Sequence, residues 1–341
     1  MRTHSPNALA LRTKRPLQAW AALGALIIGI AAAGCGSVLA QTLPNRPVRL
    51  IAGHGPGGQA DLIARIIAPK LAELWGEPVI VENRVGAAGT IAAAFVARAN
   101  PDGHTLLILS STSLVFTALT VKDLSYDPTR DLTMVGRVAS IPTVLAVRSS
   151  VPAKNLPELV ALARKRPGQL SAGSSGIGSS SGFALEMLKG AAGIDILAVP
   201  YGGAGQVLTG ILSGQVDMVF APFGLVDPHV KTGALRLIAT TGSERISAAP
   251  DLATIREQGF DRVTVDSYIG IAAPGGISAE TLARLSDGLS QALRMPDVRQ
   301  RLLDLGFDPV EDTPARYAAA LREDLEKYSV IVERMGLRNA K

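Results

Sequence analysis

Four glycine- and serine-rich segments contain the residues of this sequence best suited by type and spacing to bind a ligand. They read GHGPGG (residues 53–58), SSTS (110–113), SAGSSGIGSSSG (171–182) and PYGGAGQ (200–206), and none contains Lys or Arg. Main-chain N–H groups and hydroxyls without a full positive charge are sufficient for a carboxylate. A phosphate site of the P-loop kind would require a lysine, which is absent.

Each segment stands where an apolar strand ends and a helix is expected to begin. Strand-like runs such as VRLIAG and HTLLILS alternate with helical runs such as DLIARIIAPKLAELWG, in which Pro69 predicts a kink or break. This alternation is typical of α/β proteins with mostly parallel sheets flanked by helices. Ligands of such sheets bind beyond the carboxyl ends of the strands, next to helix N-termini with unpaired donors. We therefore expect an anion site where the four segments meet.

Residues 1–40 differ from the rest of the chain and predict a secretory signal peptide. Four bases and no acids precede the apolar run AWAALGALIIGIAAAG, which is too short to span a bilayer comfortably. Cleavage is expected after Ala40, which places the mature protein in the periplasm. Alternatively, AAGC ends at Cys35, the only cysteine, and resembles a lipobox that would anchor the protein through a lipid. Without the four signal bases, 30 of the 34 bases remain against 29 acids, so the net charge is +1 and nucleic-acid binding is not expected.

Two short motifs favour enzymatic alternatives. GPGGQA followed by Glu82 matches a dinucleotide-binding fingerprint, but Pro56 would have to occupy its tight turn. GSSSG places Ser180 at the centre of a G-x-S-x-G motif, which predicts an exported serine hydrolase if His229 and either Asp217 or Asp227 complete a triad. We favour a structural role for Asp217. The histidines have no metal-ligand spacing, so no metal and no cofactor are expected.

The sequence as a whole resembles the Bug-type receptors, the extracytoplasmic solute-binding proteins of tripartite tricarboxylate transporters. The likeness includes LPNRPVRLIAGHGPGGQADLIARIIAPKLAELWGEPVIVENRVGAAG, VPYGGAGQVLTGILSGQVDMVF and PARYAAALREDLEKYSVIVERMGL, in order and spacing. The resemblance implies the two-domain type II periplasmic-binding-protein fold, a Venus flytrap. Residues 41–142 and 266–341 would form the first domain, residues 143–265 the second, and the ligand would bind between them.

The resemblance and the four segments together imply a non-catalytic, monomeric receptor for a small organic acid. It would deliver this carboxylate to the permease subunits of a tripartite tricarboxylate-type membrane transporter; a sensor that signals through a partner is the alternative. The expected ligand-binding residues are His54, Gly57, Gly58, Ser110, Ser111, Thr112, Ser174, Ser175, Ser179, Ser180, Tyr201, Gly203 and Ala204.

The chain also departs from the pattern of the family it resembles. The first loop of the family usually reads PFPPGG, and here His54 stands at the phenylalanine position. The family usually has Asn at Ile177, Gln-His at Ser181-Gly182, and Lys at Gly202. Because these side chains could tune selectivity, the identity of the ligand is not carried over from the family.

Overall fold

Two β-sheets organise the described residues (46–174, 179–334 and 336–337) of the computed structural model. These residues all belong to one of the two units into which the chain divides, residues 43–341. The strands are β1 (Val48–Ala52), β2 (Val79–Asn83), β3 (Thr105–Ser110), β4 (Leu132–Ser140), β5 (Thr143–Arg148), β6 (Ser171–Ser174), β7 (Leu197–Pro200), β8 (Met218–Pro222), β9 (Leu235–Thr240), β10 (Tyr268–Pro274) and β11 (Asp308–Pro309). The helices are α1 (Gln59–Trp75), α2 (Thr90–Ala97), α3 (Ser111–Thr120), α4 (Leu156–Lys165), α5 (Ser180–Ala192), α6 (Ala204–Leu212), α7 (Phe223–Lys231), α8 (Ala279–Arg294), α9 (Pro296–Asp304) and α10 (Pro314–Arg334).

The first sheet takes strands from both ends of the described chain, in the order β11-β4-β10-β3-β1-β2. Its central strands are apolar on both faces because helices cover both, whereas the edge strand β2 is only partly buried. Leu50 packs with Ile63 of α1 on one face, while the next residue, Ile51, packs with Ala93 of α2 on the other. We call this sheet with its helices the first lobe.

The second sheet takes its strands from the middle of the chain, in the order β7-β6-β8-β5-β9, and forms the second lobe with α4 to α7. Strands that alternate with helices pair in parallel, as predicted: β1 with β2 and β3, and β6 with β7 and β8. Antiparallel pairs also occur, and they involve β4, β5, β9 and β10, which carry the chain between the lobes. The α/β two-lobe prediction is confirmed, whereas the domain boundaries remain a prediction.

The chain crosses between the lobes twice, and the two crossings are hydrogen-bonded to each other. The first crossing is the short link between β4 and β5, and the second is the segment 241–267 between β9 and β10. The Ile141 N–H donates to the Ser267 carbonyl at 2.7 Å, and the Thr241 N–H donates to the Thr143 carbonyl at 2.9 Å. Paired crossing segments of this kind are where a two-lobed protein bends when it closes.

Helix α10 joins the lobes on a third side through aromatic packing. The ring of Tyr328 stacks on Phe183 of α5 at a centroid distance of 4.6 Å. Phe116 of α3 meets the same phenylalanine edge-on at 6.2 Å. The largest apolar core therefore continues from the first lobe into the second.

Helix α1 passes through Pro69 without interruption, so a break at this residue is excluded, while the alternative of a kink stays a prediction. Proline removes the hydrogen bond to the carbonyl four residues earlier, that of Arg65. Both residues lie on the exposed face of the helix, where water can satisfy this carbonyl. Among the described helices, none combines the length and the apolar character that crossing a membrane requires.

Candidate functional site

A cleft of about 720 Å³ lies between the two lobes and collects most of the predicted binding segments. Among the described residues its lining contains no Lys, Arg, Asp or Glu, and His54 is its only ionisable side chain. The lining residues are His54, Gly57, Gly58, Gln59, Ala88, Ser110, Thr112, Ser113, Phe116, Ile141, Thr143, Ser179, Ser180, Ser181, Gly202, Gly203, Ala204, Pro222 and Ser267.

Four helices point their N-termini at this cleft, two from each lobe. Helices α1 and α3 start there in the first lobe, after Gly58 and Ser110, and helices α5 and α6 start there in the second lobe, after Ser179 and Gly203. A helix N-terminus carries a partial positive charge and N–H groups without intrahelical partners. The cleft is therefore polarised for an anion although no cationic side chain of the described lining faces it.

The two helices within each lobe differ in how their first turns are capped. Ser110 accepts a hydrogen bond from the Ser113 N–H at 3.2 Å, and Ser179 accepts one from the Gly182 N–H at 3.1 Å. Gly58 and Gly203, which precede α1 and α6, provide no side-chain cap. The first-turn donors of α1 and α6, one helix from each lobe, are therefore the ones best placed to receive a ligand oxygen.

The N–H groups of Gly57 and Gly58 are already used within the first loop. Gly57 donates to the Asp61 carboxylate at 2.9 Å, and Gly58 donates to the Gly55 carbonyl at 2.9 Å. These glycines contribute conformation and space instead. Gly57 adopts a φ of 77°, and a Cβ on Gly58 would lie 2.9 Å from the Cβ of His54.

Asp61 holds this first loop in place from the buried first turn of α1. Its carboxylate also accepts hydrogen bonds from Asn83 Nδ2 at 2.9 Å and from Arg65 Nε at 2.9 Å. Asn83 donates in addition to the His54 carbonyl. Burial alone would raise the pKa of Asp61, but the hydrogen bonds from Arg65, Gly57 and Asn83 hold it below its usual value. The carboxylate is therefore ionised and acts as an anchor of the loop.

His54 enters the cleft as a neutral side chain. Burial lowers its pKa below the ordinary histidine value. Its Nε2 lies 3.5 Å from the Ser113 hydroxyl, while its Nδ1 is buried and has no hydrogen-bond partner within the described structure. A buried nitrogen without a hydrogen-bond partner costs free energy. A ligand that hydrogen-bonds to this nitrogen would remove that cost.

Three predicted ligand residues lie outside the cleft lining. Ser111 is buried and accepts a hydrogen bond from the Tyr268 N–H at 3.4 Å. Tyr201 turns its hydroxyl towards Gln215 at 3.3 Å, and Ser174 is buried at the end of β6. Ser175, like Cys35, Ala40 and the signal peptide, falls outside the described residues.

The residues expected from the sequence do not include the whole described lining of the cleft. Ser113 and Phe116 follow Ser110 at helical spacing, so the capped start of α3 could have indicated them. Ile141 and Ser267 come from the crossings between the lobes, and Thr143 begins β5 directly after the first crossing. None belongs to a motif, and only the paired sheets bring them to the cleft. The other missed residues are Gln59, Ala88, Ser181, Gly202 and Pro222.

The described structure gives Ser180 no catalytic triad. Asp217 is engaged by Arg148 at 2.5 Å and by Ser171 at 3.0 Å, which agrees with the structural role expected for it. Asp227 pairs with Lys231 of the same helix, and neither acid lines the cleft. No group of metal-ligating side chains occurs in the described part of the chain.

Two α/β lobes joined by paired crossings, with helix N-termini facing an uncharged cleft, define the class of two-lobed periplasmic binding proteins. Within this class the chain matches the model of the tripartite tricarboxylate transporter family receptor, TctC, over residues 63–337, and it belongs to this family. The resemblance to Bug-type receptors is thereby confirmed. The members of this family are receptors.

Three similar proteins illustrate the relationship. Protein BugT of Bordetella pertussis is 29% identical over 316 residues, which cover 92% of this chain and 97% of BugT. MatC of Rhodopseudomonas palustris, solved with bound malate, is 32% identical with a TM-score of 0.71 and covers 85% of this chain and 99% of its own. A protein of R. palustris solved with adipate is 28% identical with a TM-score of 0.75. The match covers 87% of this chain and 100% of the R. palustris protein.

Proposed function

We propose that the protein is a periplasmic receptor that captures a small organic acid in the cleft and delivers it to the permease subunits of a tripartite tricarboxylate-type transporter. One observation carries the proposal: two helix N-termini without side-chain caps, one from each lobe, face a cleft whose described lining has hydroxyls but no charged side chain. Such donors neutralise a carboxylate without a salt bridge.

The chemistry of the cleft is consistent with reversible binding of a carboxylate. A micromolar dissociation constant corresponds to about −8 kcal/mol. A few hydrogen bonds to a charged group, at roughly 1.5–3 kcal/mol each, supply most of this before the cost of association is subtracted. The malate bound by MatC and the adipate bound by the other R. palustris protein are both small carboxylates. Phe116, Ile141 and Pro222 add an apolar wall for the carbon chain of the ligand.

A thermal-shift screen of the mature protein tests the proposal. The panel contains mono- and dicarboxylates, aromatic acids, amino acids, and neutral amides of the same skeletons as controls. A carboxylate at about 100 times its dissociation constant should stabilise the protein by about 2.7 kcal/mol, while its amide should not. If acids and amides shift the melting temperature equally, or no acid does, the cleft is not a carboxylate site. Sedimentation with and without the best acid tests the expected monomer.

A further inference from the structure

A second concentration of binding groups lies on the first lobe, outside the ligand cleft. A pocket of about 520 Å³ is lined by Arg49, Arg84 and Arg98 around Phe95, with Ile91 at its side. We call these five residues the arginine patch. They come from β1, from the residue that follows β2, from helix α2 and from the residue that ends it, so the packing of that helix on the sheet assembles the patch.

The arginine patch carries more positive than negative charge. Glu82 binds Arg49 through two hydrogen bonds of 2.6 and 2.8 Å, which neutralise one guanidinium. Arg84 is 3.9 Å from the same carboxylate, which is already paired, and its Nε is buried without a hydrogen-bond partner in the described structure. Arg98 is exposed and forms no ion pair with a described residue. Three cations therefore face one carboxylate.

The guanidinium of Arg84 is held in place by the ring of Phe95. Its Cζ lies 3.7 Å from the ring centroid, and the Cζ of Arg49 lies 5.1 Å from the same centroid. Stacking on an aromatic ring orients a guanidinium and leaves its N–H edge available to a carboxylate. The guanidinium groups of Arg49 and Arg84 therefore lose little further conformational entropy when they bind a carboxylate of a partner.

Apolar side chains around the arginine patch indicate that a macromolecule binds there. Ile80 is 48% exposed and is paired in register with Arg49, and Ile91 is 50% exposed. Helix α2 covers the sheet over β1, β3 and β10, and β2 is the edge strand, so the outer part of this sheet face has no covering helix. Arginine and aromatic residues among exposed apolar side chains are typical of protein interfaces. A small anion would leave these apolar side chains in water.

The arginine patch continues into the rim of the ligand cleft through a strained segment. The chain runs from Arg84 to Ala88, which lines the cleft, and both Ala87 and Ala88 have a positive φ (46° and 52°). A left-handed backbone at alanine is unfavourable and persists only where its surroundings impose it. A partner on the patch would thus contact residues directly connected to the cleft.

We propose that the arginine patch is the surface on which a membrane protein partner docks, through a segment of that partner that presents carboxylates beside apolar side chains. The inference rests on the proposed function, because it assigns the contact through which the receptor delivers its ligand. Charge complementarity favours an acidic partner, and the exposed isoleucines favour a protein segment.

Binding to the transporter tests this assignment. The membrane subunits of the transporter are reconstituted in nanodiscs of zwitterionic lipid, and binding of the full mature receptor is measured by interferometry. Arg98→Glu and Arg84→Glu should each weaken binding about tenfold or more, because charge reversal places two acids against each other. Arg166→Glu, at an exposed arginine directly after α4 in the second lobe, should bind like the wild type. Arg98→Glu disturbs no described ion pair, so misfolding does not confuse the result.

Each other outcome overturns the docking assignment. If the wild type binds and both patch variants bind equally well, docking uses another surface while the proposed function stands. If empty nanodiscs with anionic lipid bind the wild type equally and lose the variants, the patch contacts lipid. If the wild type does not bind the membrane subunits at all, delivery to this transporter is wrong as well. If the arginine patch is the docking surface, a photo-crosslinker at Ile91 should attach to an acidic segment of the partner. If docking uses another surface, it should not.

Discussion

Gly58 illustrates how single residues shape the cleft. Its N–H is used inside the loop, by the carbonyl of Gly55, so it contributes no donor to a ligand. What it contributes is the absence of a side chain next to His54 at the start of α1. At this scale, main-chain geometry matters more to the site than side-chain charge.

Replacing Gly58 by valine should abolish carboxylate binding while the protein stays folded. A Cβ at this position lies 2.9 Å from the Cβ of His54 and 3.0 Å from the Gly55 carbonyl, so the loop has to move. Calorimetry measures binding, and circular dichroism checks the fold. Gly190→Ala is the control: its Cβ would be 3.8 Å from Arg334 Nη1, and the exchange should stabilise α5 by about 0.5–1 kcal/mol without affecting binding. Wild-type affinity in Gly58→Val would exclude the first loop from the site.

His54 should make the affinity depend on pH. Burial lowers its pKa in the empty cleft, and a bound carboxylate favours the protonated ring, so the pKa is higher in the complex. Affinity should therefore rise as the pH falls from about 8 to about 5, and it should be constant where the ring is neutral in both states. Calorimetry across this range measures the effect. In His54→Gln the affinity should not vary with pH. If this variant keeps the pH dependence of the wild type, another group is responsible for it.

The sequence predicted which loops line much of the cleft because glycines and serines at strand ends have a local physical signature. Gly58, Ser110, Ser179, Ser180 and Gly203 all reach the cleft as expected. Tyr201 does not, because packing against its own lobe takes its side chain elsewhere. Motifs locate the loops, whereas the direction of each side chain depends on contacts that only the folded chain defines.

At the scale of elements, helix α10 does more than close the first lobe. Asp324 of this helix is 7% exposed and accepts a hydrogen bond from the Tyr268 hydroxyl at 3.0 Å. Tyr268 begins β10, directly after Ser267 of the cleft. The helix thus connects a buried acid, a crossing between the lobes, and, through Tyr328, the second lobe.

Asp324 should lower stability as the pH rises. Burial is the main cause that raises its pKa to about 6, with Asp266 adding to the shift and Lys327 and Arg137 opposing it. The unfolded value is about 3.9, so the folded state binds an extra proton between about pH 4 and pH 6. The protonated carboxyl of Asp324 therefore stabilises the folded state fully below about pH 4. This stabilisation is lost as the pH rises from about 4 to about 6.

Asp324→Asn should therefore raise the free energy of unfolding at neutral pH by up to about 3 kcal/mol. The asparagine oxygen can still accept the hydrogen bond from Tyr268. Urea unfolding from about pH 4 to pH 8 should show a weaker pH dependence than the wild type. The exposed Asp251→Asn serves as the matched control. If Asp324→Asn destabilises the protein at neutral pH, the carboxylate is a net stabilising group and the sign argued here is wrong.

The sequence predicts the two lobes of the molecule. It does not predict the contacts that join them, which are the crossings and the packing of α10 on α5. Alternating strands and helices indicated the α/β lobes, because each strand is a local pattern. The stacking of Tyr328 on Phe183 joins residues about 145 positions apart, and no local pattern encodes such a contact. The crossings at Ile141 and Ser267 also become visible only once both sheets are formed. Fold class is therefore readable from the sequence, and the connections between the lobes are not.

These links connect the candidate surfaces of the described chain to the cleft. The crossings line it, helix α10 supports it, and the arginine patch adjoins it through the segment that ends at Ala88. Closure of the lobes would bring the uncapped starts of α1 and α6 towards the same ligand. We propose that main-chain dipoles, and not cationic side chains, capture the ligand.

A crystal structure of the protein with the acid selected by the thermal-shift screen tests this claim most directly. We expect the carboxylate between the lobes, within hydrogen-bond distance of first-turn N–H groups of α1 or α6 and of cleft hydroxyls such as Ser180. No Lys or Arg side chain should contact it. An acid bound outside the cleft, or held in the cleft by a guanidinium or ammonium group, would contradict capture by main-chain dipoles.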